Sequence, residues 1–225
     1  MIFKKLNVFN IFDQFVTDYK NKKILDFGGN RGNLISYSNG KIHEKNYTCM
    51  DVSKDSLNAL LNEHPAANVV YWNRYHSIYN PAGSKTETFP NIGIFDISFA
   101  NSVFTHHNLE ELLYCVENLC TISTYVYFTY IDPSNQKIFD ILHNTHRTID
   151  VSEKQMKKIR SNKVSYITNN DNMLWSVFDT VELKKSIKKY SRFRLSIEDG
   201  LTDGFNWMKI TVLDRNIIVP SLIGY

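Results

Sequence analysis

Five short runs rich in β-branched and aromatic residues alternate with stretches of helical spacing, and this alternation restricts the fold more than any other feature. The runs are KKILDF (22–27), NYTCMD (46–51), NVVYW (68–72), IGIFDISFA (92–100) and TYVYFTYI (124–131). Between them, residues 33–40 and 53–62 have helical character, and Leu109, Leu112, Leu113, Val116 and Leu119 form a helical stripe. Ser53 is placed to cap the second of these helices. Strands that alternate with helices need right-handed crossovers, so the expected fold is α/β, with a mostly parallel sheet and helices on both faces.

The rhythm changes after Asp132-Pro133. Residues 134–172 are polar and basic with weak periodicity, and the run NMLWSVFDTVELKKSIKKY (172–190) resumes a helix pattern. RFRLSIED and FNWMKITVLD then read as two strands joined by GLTDG, an antiparallel hairpin. One domain is expected over 1–225: an N-terminal helix within 1–22, a core over 23–131, an insertion or lid over 132–172, and a closing helix and hairpin over 173–225. Within the first of these, Phe12, Phe15, Val16 and Tyr19 predict an amphipathic helix over 9–19. The connection over 73–90 is long and rich in Asn, Gly, Pro and Ser, as functional loops are.

The turn after the first strand, DFGGNRG (26–32), decides what the core can bind. A strand that opens through glycines into a helix presents backbone N–H groups suited to an anionic group. The dinucleotide fingerprint GxGxxG fails here: from Gly28 it meets Asn30 and Asn33, and from Gly29 it meets Arg31. GxxxxGK[ST] is absent as well, which excludes a P-loop.

The pattern D-x-G-x-x-x-G, with an acidic residue at the end of the next strand, resembles the class I S-adenosylmethionine (SAM)-dependent methyltransferase superfamily. Its first motif commonly reads D-x-G-x-G-x-G; Asp26, Gly28 and Gly32 match, Asn30 replaces the middle glycine, and Gly29 sits one place earlier. The resemblance implies a Rossmann-like seven-stranded sheet that ends in an antiparallel hairpin, with 23–131 as the cofactor-binding core. It implies SAM as cofactor, Asp51 on the ribose hydroxyls with Val52 beside it, and Asn73, after the third strand, near adenine. Asn101 and Ser102, just past the fourth strand in FDISFANSVFTHHN, would lie near the methionine part. An acceptor-only carboxylate suits two hydroxyl donors.

Methyl transfer to oxygen or nitrogen also requires removal of a proton, and histidine titrates in the right range. His106 and His107 follow the fourth strand and are the candidate general bases, with His106 preferred; such a histidine can equally pack or cap the next helix. His143 and His146 have HxxH spacing, and His76 lies in the long loop, but no third ligand is evident and no metal is expected. Tyr130, Asp132 and Asn135 leave the fifth strand on the substrate-facing edge, where they could contact an acceptor or simply form the turn.

The expected activity is a transferase acting on an oxygen or nitrogen of a small-molecule or peptide-like acceptor. Two alternatives stay open. Lysine tracts at 154–163 and 184–194 could track a nucleic-acid backbone, although a net charge of +3 is modest for that role. Asn30 in place of glycine would suit a non-catalytic binding module. Three cysteines without CxxC spacing point away from a disulfide framework and toward a reducing, cytoplasmic setting. Lys4, Lys5 and Asn7 interrupt the apolar amino terminus, so neither a signal peptide nor a membrane span is expected.

Overall fold

The computed structural model describes residues 7–135, 159, 161–169, 172–201 and 205–215. The chain divides into two compact units, Met1–Val103 and Phe104–Tyr225.

The first unit begins with α1 (Val8–Phe15), whose N-cap Asn7 accepts a hydrogen bond from the Phe9 N–H at 2.9 Å. The helix buries Phe9, Ile11 and Phe12 and stops at Val16, which is extended at φ −117°. The sequence expectation ran on to Tyr19. Instead the chain turns, and the Tyr19 hydroxyl donates back to Asp13 at 2.6 Å. Phe12 is fully buried and meets the Tyr19 and Phe99 rings edge-on at 5.3 and 5.2 Å. Burial of a side chain of this size contributes roughly 2–3 kcal/mol.

Strands β1 (Ile24–Phe27), β2 (Tyr47–Asp51), β3 (Asn68–Tyr71) and β4 (Phe95–Ala100) pair in parallel, with β1 between β2 and β4. All four residues of β1 are buried, as the centre of a parallel sheet requires. Two helices intervene: α2 (Asn33–Tyr37) and α3 (Lys54–Glu63). Ser53 caps α3 by accepting from the Ser56 N–H at 3.3 Å, and Leu57 and Leu60 face the core.

In the second unit, α4 (Leu109–Ile122) is capped by Asn108, which accepts from the Glu111 N–H at 2.8 Å. Leu112, Cys115, Val116, Leu119 and Cys120 are buried along one face. The helix runs straight into β5 (Ser123–Tyr130).

Residues 172–178, expected to be helical, form a strand. β6 (Val164–Asn169) and β7 (Asn172–Phe178) make an antiparallel two-stranded ribbon, and only then does α5 (Thr180–Tyr190) begin. Its start is set by Asp179, whose side chain accepts from the Glu182 N–H at 3.0 Å. The ribbon is tied to the start of α4: the Leu109 N–H donates to the Tyr166 hydroxyl, and the Ser176 hydroxyl donates to the His107 carbonyl at 2.6 Å. Much of the expected insertion, including His143 and His146, lies outside the described residues, as does the apolar tail 216–225.

β8 (Arg194–Leu201) and β9 (Asn206–Asp214) form the closing hairpin, and β9 runs antiparallel to β5. The seven-stranded sheet has the order β3-β2-β1-β4-β5-β9-β8, parallel except for its terminal hairpin, which is the Rossmann-like arrangement expected. Among the described residues no helix is long and apolar enough to cross a membrane. The three cysteines are buried and form no disulfide.

Candidate cofactor site and flanking chemistry

The loop after β1 resolves the irregular glycine spacing. Gly28, Asn30 and Gly32 have φ of 69°, 53° and 73°, whereas Gly29 and Arg31 are absent from the left-handed region. The backbone thus alternates in sign along the loop, with Asn30 taking the left-handed conformation where the motif has its middle glycine. Asparagine is among the few residues that visit this region routinely. The N–H groups of Gly28, Asn30 and Gly32 bond to the Met50 carbonyl, the Asp51 carboxylate and the Gly29 carbonyl, which holds the loop in this shape.

Gly29 does a different job. Its φ is ordinary, but an added Cβ would lie 2.6 Å from the carboxyl carbon of Asp26 and 2.8 Å from the Cys49 sulfur. The displaced glycine therefore supplies room, and Asn30 supplies the turn. Gly32 needs both, since its Cβ would fall 2.2 Å from Leu60 Cδ1. The following helix α2 has only five residues, shorter than the sequence suggested, so no long helix dipole stands behind the loop.

Asp51 closes the cradle. Its Oδ2 accepts from the Asn30 N–H and its Oδ1 from the Ser53 N–H, each at 2.8 Å. Burial raises its pKa, and the N–H bonds from Ser53, Asn30 and Val52 oppose the rise. An ionised carboxylate has about four lone-pair sites, so these amides leave capacity for two hydroxyl donors. Val52 follows directly and is half-buried.

Asp26 is a second, deeper carboxyl. It is 3% exposed, and the Tyr47 hydroxyl donates to its Oδ2 at 2.5 Å. Burial pushes its pKa up to about 7; the Tyr47 hydrogen bond pulls down and the nearby Asp51 charge pushes up. Its place beneath Gly29 makes it a support of the loop.

Asn73 sits two residues past β3. Its carboxamide oxygen accepts from the Tyr71 hydroxyl at 2.6 Å, and its carbonyl accepts from the Ser84 N–H at 2.8 Å. It ties down the long loop, which is ordered by further bonds: Trp72 Nε1 to the Thr88 carbonyl at 2.9 Å and Arg74 Nη1 to the Glu87 carbonyl at 2.6 Å. The loop carries Tyr79, whose pKa is raised by burial and by the charge of Asp51. No spacing in the sequence singles out Tyr79.

Past β4, Ser102 has φ 57°, a strained value for a serine, and Val103 packs over Gly28, its Cγ2 lying 2.4 Å from where a Cβ would be. Asn101 Oδ1 is buried with no hydrogen-bond partner among the described residues. A buried acceptor without a donor is costly, and a ligand donor would satisfy it. These features fit SAM: a cradle that side chains would fill, a carboxylate for the ribose, and an acceptor for an ammonium group.

In the second unit, the His106 ring lies tilted against Trp175 at 4.8 Å, and the His107 ring meets Phe104 edge-on at 5.8 Å. Beyond β5, Asp132 is buried and receives both the N–H and hydroxyl of Ser134 and of Thr180. Burial raises its pKa, but these four donors outweigh it, so the net shift is downward. Tyr130 hydrogen-bonds Thr180 at 2.7 Å, and Asn135 donates to Asn206 at 3.1 Å. Asp132, Asp179, Thr180, Asp199 and Asn206 line an open cavity of ≈ 780 Å³. Of the residues flagged in the sequence, Asp132 lines the cavity, while Tyr130 and Asn135 bond to its lining residues Thr180 and Asn206; the contributions of Asp199 and Asn206 depend on how the hairpin folds back.

The comparisons with known proteins agree with this geometry. No protein-family model matches the chain, and no curated protein matches its sequence. Among solved structures, the chain is similar to an S-adenosylmethionine-dependent methyltransferase from Clostridium acetobutylicum, with 10% identity over 94% of this chain and 92% of that one, and a TM-score of 0.56. It is also similar to a glycopeptide N-methyltransferase complexed with S-adenosylhomocysteine (SAH), with 8% identity, 92% and 89% coverage, and a TM-score of 0.56. Magnesium protoporphyrin IX methyltransferase from Synechocystis, with SAH bound, gives 9% identity, 91% and 80% coverage, and a TM-score of 0.53. The fold is that of the class I SAM-dependent methyltransferases.

Proposed function

We propose that the chain is a SAM-dependent methyltransferase that acts on an oxygen or nitrogen of a small-molecule or peptide-like acceptor. The observation that carries this reading is the loop of alternating φ at Gly28, Asn30 and Gly32, bonded through Asn30 to Asp51. When bound, SAM supplies a methyl group made electrophilic by its sulfonium. Asp51 accepts the ribose hydroxyls, the loop over 28–32 lets the cofactor approach the backbone closely, and Asn101 Oδ1 accepts from the ammonium group. Asn73 is assigned to the adenine side and Ser102 to the methionine side. The work left to the chain is alignment and exclusion of water. His106 is assigned to take the acceptor's proton, on its place after the fourth strand, with Trp175 holding its ring.

The carboxylate-lined cavity past β5 is assigned to the acceptor, in line with the rule that ligands of such sheets bind beyond the carboxyl ends of the strands. Neighbours that act on a glycopeptide and on a porphyrin support a non-nucleic-acid acceptor. The lysines of α5 point the same way in part: Lys184 pairs with Asp199, and Lys185 with Glu182 at 3.1 Å, which neutralises the first two lysines of the basic tract. Asn30 in the conformation glycine would take favours a working cradle over a non-catalytic module. Buried thiols without disulfides suit a cytoplasmic setting.

Isothermal titration with SAH tests the cofactor assignment. Saturable binding by the wild type and at least tenfold weaker binding by Asp51→Ala are expected; no heat with the wild type overturns the reading. Salt-dependent retention of RNA oligonucleotides, lost when Lys188 and Lys189 are neutralised, would transfer the acceptor to nucleic acid.

A further inference from the structure

We propose that His107, Glu111 and Cys115 form a site for a thiophilic divalent cation, zinc(II) by the chemistry of the donors. This rests on the second unit alone and is independent of SAM binding. Glu111 and Cys115 are four apart on α4, a spacing that puts their side chains on one face, and His107 lies just ahead of the helix's N-cap, Asn108. One imidazole nitrogen, one carboxylate oxygen and one sulfur all lie within 4.8 Å of one another. Tetrahedral zinc, with bonds of about 2.0 Å to nitrogen and about 2.3 Å to sulfur, sets such donors about 3.5 Å apart. His107 and Glu111 are half-buried and Cys115 is fully buried, so metal binding requires the donors to draw in from their present separation.

The local frame is already built. Asn108 caps the helix through the Glu111 N–H, the Ser176 hydroxyl holds the His107 carbonyl, and Tyr166 accepts from the Leu109 N–H. These bonds fix the backbone on both sides of the first ligand. A mixed nitrogen, oxygen and sulfur set favours zinc over magnesium or calcium, which take oxygen. A thiolate and a carboxylate together carry the charge to balance a divalent cation near a helix N-terminus, where a cation alone is disfavoured. Three protein ligands leave a fourth position for water or another donor.

The competing possibility is that the three groups share protons and bind no metal. Cobalt(II) titration of the chelator-stripped full chain separates the two, because thiolate coordination gives a near-ultraviolet charge-transfer band. We expect a band that saturates at one equivalent and is displaced by zinc, with binding weakened at least tenfold in His107→Gln and in Glu111→Gln. Cys115→Ser removes the band. No band in the wild type, or unaltered cobalt affinity in both His107→Gln and Glu111→Gln, overturns the site. Those two variants alter half-buried side chains and decide the question even if Cys115→Ser does not fold. Both also show whether Cys49 or Cys120 is the source of a band, since neither variant touches them. Cobalt binding reads three groups of the second unit and SAH titration of Asp51→Ala reads a residue of the first, so the two conclusions fail separately.

Discussion

Replacing Asn30 tests whether it substitutes for a glycine through its backbone. The side chain is exposed, and the residue's fixed contribution is its left-handed φ of 53° together with the N–H bonded to Asp51. A typical L-residue loses roughly 1–2 kcal/mol in that conformation, and asparagine loses less. Asn30→Ala should therefore lower unfolding free energy by about 1 kcal/mol. Asn30→Gly relieves strain of similar size but adds roughly 0.4–1 kcal/mol of unfolded-state entropy, so its net effect should stay within about 0.5 kcal/mol. Urea unfolding at neutral pH measures both. SAH affinity should follow the same order: nearly unchanged for glycine and up to about fivefold weaker for alanine, the factor that 1 kcal/mol represents. If alanine is as stable as the wild type while glycine is clearly worse, the loop is not held by the sign of φ at residue 30 and the reasoning is wrong.

Gly29→Ala places a methyl 2.6 Å from the Asp26 carboxyl, and should destabilise the fold by roughly 1–3 kcal/mol in denaturant titration, more than Asn30→Ala. The raised pKa of Asp26, about 7 against an ordinary 3.8, means the folded state holds a proton that the unfolded chain has lost. Stability should then fall as pH rises from about 4 through 7, and Asp26→Asn should flatten that slope relative to wild type when unfolding is measured across the range. Asp132→Ala leaves the Thr180 N–H and hydroxyl and the Ser134 N–H without their acceptor, and should cost about 2 kcal/mol by thermal or urea unfolding. The Asp132 shift runs the other way from that of Asp26: its pKa is lowered, so its contribution is present near neutrality and lost in acid.

The core was legible because its signals are strong and local. Each parallel strand is a short, nearly continuous apolar run, and Ser53 and the leucines of α3 and α4 mark helices by capping and spacing. The ribbon was not legible: NMLWSVF is apolar without a period, and such a run adjoining a true helix is easily absorbed into it. Asp179 and Glu182, a capping pair three residues apart, were the available sign that the helix begins later. In the candidate site, Asp51 stands out in the sequence because it ends a strand, while the separate roles of Gly29 and Asn30 depend on where Asp26 and Cys49 place their atoms and on the backbone φ. The grouping of Cys115 with His107 and Glu111 likewise required knowing where α4 starts.

The bond from the Asn30 amide to Asp51 also bears on the kinetics of ligand capture. The loop already has its turn and its anchor before anything enters, with the Gly28 N–H held by the Met50 carbonyl at 2.7 Å. Ordering of the cradle therefore accompanies folding and not association. Stopped-flow mixing with SAH should give a single exponential whose rate rises linearly with concentration, without the plateau that a loop closing over its ligand would impose.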